Sequence, residues 1–403
     1  MWGAKKAYYR TFQFVFNFGA RCLPWRKAER VEGAGAIGRI PELLGQRGVK
    51  RPMVVTDPGL MKAGVAPAVL KVLEEGGVPC VLFDTVAPNP TVKIVEEIYA
   101  LYRKEGCDSF VAIGGGSSMD AAKAAAARVV NPNKSVGRMG GLLKVGKRLP
   151  PFVAVPTTAG TGSETTIAAL ITDQDTHHKY ALMDLHLIPL YAVLDPELTV
   201  GLPPHITAAT GMDALTHAVE AYLCWTYNTK ESIRFAEEAV KLIFDNLERV
   251  YRDGGDVEGR MNMLTASFKA GFAFTRAGVG NVHAIAHTLG GLYNTAHGLA
   301  NAVLLPIVLE DYGEAVYPKL ARLAAIAGVK ADGGEAERAK AFIQAIYDMN
   351  ERMGIPKGFD FIRDEDIPQM IAWAGKEANP VYPVPVLYSP DRYRAVIEKI
   401  RIK

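Results

Sequence analysis

Only four of the 403 residues are cysteine, Cys22, Cys80, Cys107 and Cys224, and no two of them form a Cys-x-x-Cys pair. That excludes a thiolate zinc site and a disulfide framework. It fits a reducing compartment, so the expected location is cytoplasmic. A bound metal must then take its ligands from histidine and carboxylate. Net charge is only +3. The clustered surplus of cations that marks a phosphate-backbone binder is missing, which argues against nucleic acid as a partner. No stretch reaches the roughly 18 apolar residues of a spanning helix, so no membrane span is expected. The nearest stretch, "TFQFVFNFGA" (11–20), is interrupted by Gln13 and Asn17, which also spoils the apolar core of a secretory signal. Its Phe12, Phe14, Phe16 and Phe18 would share one face as a strand and split between two sides as a helix. Residues 1–30 are expected to be an arm packed on its own protein or on a second subunit.

What is present is ordinary globular composition, with 49% hydrophobic and 22% charged residues, in a length that suits two or three domains. As far as about Leu198, short apolar runs alternate with helical stretches. "PMVVTD" (52–57), "PCVLFDT" (79–85), "SFVAIGGG" (109–116) and "FVAVPTT" (152–158) read as buried strands. "APAVLKVLEEGG" and "VKIVEEIYALYRKEG" read as amphipathic helices between them. This βαβ grammar predicts a parallel sheet with helices on both faces, binding ligands at the carboxyl ends of its strands. After Gly201 the periodicity is helical, in "ITAATGMDALTHAVEAYLCW", "ESIRFAEEAVKLIFDNLERVYRD" and "GRMNMLTASFKAGFAFTRAG". The expected fold is an α/β domain over 31–200 followed by an all-helical domain over 201–403, joined near "DPELTVGLPP".

Two glycine motifs compete for a nucleotide. "GAGAIG" (33–38) matches Gly-x-Gly-x-x-Gly, with Asp57 nineteen residues beyond its last glycine. That fingerprint needs a buried strand before it, and "RKAERVE" is short and heavily charged, so a turn into the following helix is the preferred reading. "FVAIGGGSSMDAAKAAAARVV" places a buried strand before Gly114, Gly115 and Gly116 and an Ala-rich helix after them. Ser117 or Ser118 would cap that helix, whose amides would form an anion site. Asp120, placed in its first turn, would suit the helix dipole or contact a cofactor. "VPTTAGTGSE" (155–164) reads as a strand end that wraps a polar ligand or as a glycine-rich turn. Asp57 would accept from ribose hydroxyls, favouring NAD over NADP, or would cap the turn at Pro58.

Three of the eight histidines crowd into "GVGNVHAIAHTLGGLYNTAHG" (278–298), as His283, His287 and His297. His283 and His287 stand at i and i+4, as do Asp213 and His217 in "MDALTHAVEAY", so each pair projects from one helix face. Gly290 and Gly291 are expected to break or bend the chain before His297. Spacing allows four or five ligands and does not say which histidine is left over. An Asp/His set without thiolates accepts Fe²⁺ or Zn²⁺, with Mn²⁺, Co²⁺ and Ni²⁺ also open.

In these motifs the chain resembles the iron-containing (group III) alcohol dehydrogenases. The likeness runs from about Gly33 to near the C-terminus, through "VVTDPGL", "PNP" (88–90), "GGGSSMDAAK", "PTTAGTGSE", "DPELT", "ATGMDALTHAVEAY", "VHAIAHTLGGLYNTAHGLANA" and "NP" at 379–380. The resemblance implies a Rossmann-like dinucleotide-binding domain followed by a helical metal domain, the architecture shared with dehydroquinate synthase. It implies Asp213, His217, His283 and His297 as metal ligands, with His287 beside nicotinamide and substrate as a proton relay. It places NAD(H) on Asp57, Asn89, Gly115, Gly116, Ser117, Asp120, Thr157, Thr158, Thr161, Ser163 and Lys179, and so demotes the first glycine motif. His177 and His178 match no ligand position and are read as exposed. The implied reaction is hydride transfer between nicotinamide and a small alcohol or aldehyde bound to Fe²⁺ or Zn²⁺, in a homodimer. The alternatives are a glycerol or diol dehydrogenase, a lyase of the same fold, and a metal-dependent hydrolase, which would have no use for the glycine loop.

Overall fold

The computed structural model describes residues 2–174 and 179–402, with Lys179 described through its backbone alone. His177 and His178 therefore lie outside the described residues. The chain divides into two compact units. One comprises Pro24–Leu202 with Gly254–Leu264, and the other Met1–Leu23, Pro203–Asp253 and Thr265–Lys403.

Among the described residues the first unit is built on nine strands: β1 (Glu29–Glu32), β2 (Pro52–Val55), β3 (Val81–Phe83), β4 (Ser109–Gly114), β5 (Gly141–Leu142), β6 (Phe152–Pro156), β7 (Ala168–Thr172), β8 (Lys179–Met183) and β9 (Tyr191–Leu194). Six form one sheet in the order β1-β9-β6-β4-β2-β3, with every pairing parallel. Its central strands are buried on both faces, as helix-covered parallel strands must be. Alternate residues feed two cores. Met53, Val55, Phe110, Ala112, Phe152 and Ala154 point into one, and Val54, Val111, Ile113, Val153 and Val155 into the other. The strand order reverses between β2 and β4, which leaves a crevice at their carboxyl ends, the usual ligand position in an open parallel sheet.

Two features depart from the sequence reading. "ERVE" does form a strand, β1, but on the sheet edge, where only Val31 is buried. An edge strand needs one apolar contact rather than a continuous run, which is why its charge misled. A second sheet, β5-β8-β7, pairs β7 with β8 antiparallel. β7 buries only alternate residues.

The second unit is helical. Its centre is the Pro204–Leu223 helix, buried continuously from Gly211 to Leu223. Such all-round burial explains a composition apolar on nearly every face. Beside it lie the Lys230–Arg252 and His297–Tyr312 helices, and the Asn281–Tyr293 helix packs on the latter. Gly290 and Gly291 do not break the chain. The helix runs through them to Tyr293 and ends on Asn294 in the left-handed conformation.

The N-terminal segment is a helix, Trp2–Arg21, so its phenylalanines split between two sides. Its buried residues are the two polar ones. Gln13 donates to the carbonyls of Pro380 (3.0 Å) and Tyr382 (2.7 Å) and accepts from Trp225 Nε1 (2.6 Å). Asn17 donates to Thr226 Oγ1, and Arg10 to the carbonyls of Val384 and Pro385. The arm packs on its own protein through the residues that interrupt its apolar run.

Candidate active site

In the α/β unit the candidate nucleotide residues gather at the carboxyl ends of the strands. Asp57 follows β2, Asn89 follows β3, Gly115, Gly116 and Ser117 follow β4, and Thr157, Thr158, Thr161 and Ser163 follow β6. Gly114 has φ 147°, and Gly115 and Gly116 lie under threonines. A Cβ on Gly115 would stand 3.2 Å from Thr158 Oγ1, and one on Gly116 the same distance from Thr161 Cγ2. The helix begins at Gly116 with Gly115 as its N-cap and no side-chain cap, so neither Ser117 nor Ser118 serves as the cap. Its first amides are therefore not taken by a serine. Asp57 Oδ1 caps the Pro58–Lys62 helix at Leu60 N (3.0 Å), and its Oδ2 lies 3.5 Å from Ser118 Oγ. Lys179 opens β8, and its side chain is outside the described set.

Asp120 falls beyond the first helical turn. Its carboxylate accepts from Ser163 Oγ (2.9 Å) and Leu170 N (3.1 Å), tying the helix to the loop after β6 and to β7. Lys123, fully buried one turn on, donates to the carbonyls of Ser163 (2.6 Å), Thr166 (3.2 Å) and Ala168 (3.1 Å) and to two hydroxyls of the same loop. The first glycine motif holds an internal anion instead. Asp195 accepts from Gly35 N and Ile37 N, the amides a phosphate would need.

In the helical unit, Asp213, His217, His283 and His297 each offer a ligand atom within 4.8 Å of the others. Three helices supply them. Asp213 and His217 share a face of the Pro204–Leu223 helix, His283 sits in the first turn of the Asn281–Tyr293 helix, and His297 opens the next. Gly298 permits the approach, because a Cβ there would run into the Ala209 carbonyl and stand 3.2 Å from Asp213 Cβ. The His217 and His283 rings stack at 4.6 Å.

The donor set fits a divalent cation. Asn301 Nδ2 donates to Asp213 Oδ1 (2.7 Å) and stands 3.2 Å from both His283 Nε2 and His297 Nε2, so these nitrogens turn lone pairs inward. Glu220 accepts from His283 Nδ1 (2.6 Å), which fixes that tautomer, and from Gly280 N and Val282 N. Burial pushes the Glu220 carboxyl up to about 8, against the pull of the Gly280, Val282 and His283 backbone amides. Burial, with His217, His297 and His287 around it, holds His283 well below the usual imidazole range. A neutral imidazole is the form that binds metal.

His287 is not among the four. Its Nδ1 pairs with Glu377 Oε1 (2.6 Å), the oxygen that also accepts from Tyr382 OH (2.7 Å), while its ring stacks on His297 at 5.0 Å.

Comparison with known proteins decides the family. The iron-containing alcohol dehydrogenase signature matches residues 28–196, and the C-terminal signature of the Fe-containing alcohol dehydrogenase family matches 207–398. The chain belongs to the iron-containing alcohol dehydrogenase family. The enzyme is thus an oxidoreductase. Lactaldehyde reductase of Escherichia coli (strain K12) is 36% identical to this iron-type dehydrogenase over 345 residues, covering 84% of this chain and 89% of that protein. The crystal structure of 1,3-propanediol oxidoreductase superposes with a TM-score of 0.90 at 35% identity, covering 93% and 99% of the two chains. Sulfoacetaldehyde reductase from Bifidobacterium kashiwanohense, solved in complex with NAD+, gives a TM-score of 0.83 at 28% identity, covering 94% and 99%.

Sequence reasoning missed four residues of this candidate site. Asn301 lies four residues after His297 and Glu220 three after His217, so helical spacing could have flagged both. Glu377 and Tyr382 lie some ninety residues beyond His287. Only the nearby "NP" hinted at them.

Proposed function

We propose that this enzyme interconverts small alcohols and aldehydes with NAD(H), using a divalent cation, Fe²⁺ or alternatively Zn²⁺, held by Asp213, His217, His283 and His297. The convergence of one buried carboxylate and three imidazole donors within 4.8 Å carries this reading. When bound, the cation supplies Lewis acidity toward the substrate oxygen, and the nicotinamide supplies or takes the hydride. The chain's own residues then orient and move protons. Glu220 and Asn301 aim His283 and Asp213 inward. Glu377, itself held by Tyr382, fixes His287 with its proton on Nδ1, leaving Nε2 to exchange a proton with the substrate hydroxyl. In the α/β unit, Gly115, Gly116 and Ser117 receive the pyrophosphate, Asp57 the ribose hydroxyls, and Asn89, Thr157, Thr158, Thr161 and Lys179 line the nucleotide. Asp120 and Ser163 shape that loop through their mutual hydrogen bond.

The test is NADH consumption with short aldehydes after loading with Fe²⁺ or Zn²⁺, beside elemental analysis. Turnover that needs neither metal nor NADH, or esterase activity in its place, would refute the proposal. His297→Ala should lose metal, whereas His287→Ala should keep it and lose turnover. The reverse pattern would overturn the ligand assignment. The likeness to 1,3-propanediol oxidoreductase favours diols as a second substrate class. A kcat/KM for a propanediol well above that for propanol would establish it.

A further inference from the structure

The Trp2–Arg21 helix is turned inside out. A helix on a water-facing surface buries its apolar stripe and shows its polar one. Here Gln13 and Asn17 are buried, while Tyr8 (59% exposed), Phe14 (66%), Val15 (63%) and Phe18 (72%) face outward. At 100° per residue these four share one side of the helix with Ala4, Ala7, Thr11 and, one residue beyond it, Cys22. That side carries no charged residue over its whole length.

The charges flanking the stripe have one sign. Lys5, Lys6, Arg10 and Arg21 are all basic, and the helix holds no acidic residue. Lys5, Lys6 and Arg21 are exposed at the two ends of the stripe. Beside it, Lys6 and Arg10 line a recess of about 290 Å³ closed by residues 385–387. Pairing this stripe with that of a second copy would set cations against cations, with no carboxylate in either helix to relieve them. An anionic lipid surface satisfies both features at once, accepting aromatic side chains at the depth of its headgroups and pairing with the lysines and arginine. Among the described residues no helix is long and apolar enough to cross a membrane, so contact would be interfacial.

We propose that the Trp2–Arg21 helix is a peripheral docking element for anionic membrane surfaces, with its polar side bolted to the helical unit and its Tyr8–Phe14–Val15–Phe18 stripe entering the lipid interface. The experiment is flotation of the full-length enzyme with vesicles of phosphatidylcholine alone or mixed with phosphatidylserine. Wild type should float with the mixed vesicles at low salt, stay behind with phosphatidylcholine alone, and be released by salt. Phe14→Ser with Phe18→Ser should lower the bound fraction on the order of ten-fold. Both side chains are exposed, so circular dichroism and NADH-linked turnover should not change. Lys5→Glu with Arg21→Glu should abolish the preference for phosphatidylserine. Absence of wild-type flotation, or equal flotation of wild type and the Phe14/Phe18 variant, would overturn the proposal. So would sedimentation velocity showing a larger species that the Phe14/Phe18 variant splits, because the stripe would then be covered by a second copy of the chain.

Discussion

Replacing Lys123 by methionine tests whether a buried ammonium organises the loop after β6. The side chain is fully buried and donates to three carbonyls and two hydroxyls between Ser163 and Ala168. Methionine fills similar space and donates nothing. The hydroxyls can turn to other acceptors, since Ser163 Oγ already meets Asp120. The three carbonyls lose a charged donor, at about 1–3 kcal/mol each. Removing the buried charge returns part of this. Burial pushes Lys123 down to about 8 from 10.5, with Asp120 and Glu164 opposing, a difference equivalent to about 3 kcal/mol. The net loss should be about 3 kcal/mol, or roughly 6–12 °C in melting temperature for a unit of this size. Between pH 8 and 10.5 the unfolded chain holds the lysine proton that the folded chain has released. Wild-type stability therefore rises with pH in that window relative to Lys123→Met, which has no such group. Calorimetric melts of both proteins at pH 7, 8, 9 and 10 read both effects. A variant melting within about 2 °C of wild type at pH 7 would refute the loop-organising argument, and parallel pH profiles would refute the burial argument.

Other consequences are as direct. Glu377→Gln keeps the shape beside His287 but removes the carboxylate, so kcat should fall about ten- to hundred-fold with metal content unchanged. Tyr382→Phe, where only one donor to Glu377 is lost, should stay near wild type, and that contrast would separate positioning from simple packing. Gly298→Ala forces a methyl onto the Ala209 carbonyl, so stability should drop by about 1–3 kcal/mol and retained Fe²⁺ after dialysis should fall with it. Gln13→Ala strips a fully buried amide from two carbonyls and the Trp225 indole. Residues 2–21 should then exchange backbone deuterium much faster, while the rest of the helical unit does not. Burial raises Glu164 to about 7. Because the folded chain keeps this proton longer, stability should decline from pH 4.5 toward 7, and Glu164→Gln should flatten that decline in urea titrations.

The sheet was readable wherever strands are buried on both faces, because "PMVV", "SFVAIG" and "FVAVP" must then be apolar throughout. It was unreadable at β1, where an edge position tolerates "ERVE", and at β7, where only alternate residues meet the core. Spacing paired Asp213 with His217 and His283 with His287, since helical neighbours are local. It could not bring His297 in, because that depends on Gly298 meeting a helix ninety residues earlier. Capping was misjudged at Ser117 because Gly115 already supplies the extended conformation that an N-cap needs. Gln13 and Asn17 looked like interruptions because a linear pattern does not show which side of a helix is covered.

The four clustered donors arise between residues 213 and 297, whereas the carboxylate that steadies His287 arrives from a helix ending at Ala378. His287 itself lies in sequence among those donors, so the imidazole and its carboxylate partner come from stretches some ninety residues apart. Under the proposed roles, substitutions at Glu377 or Tyr382 address the proton path without replacing any of the four clustered donors, which gives directed evolution a short and well-defined window in which to search.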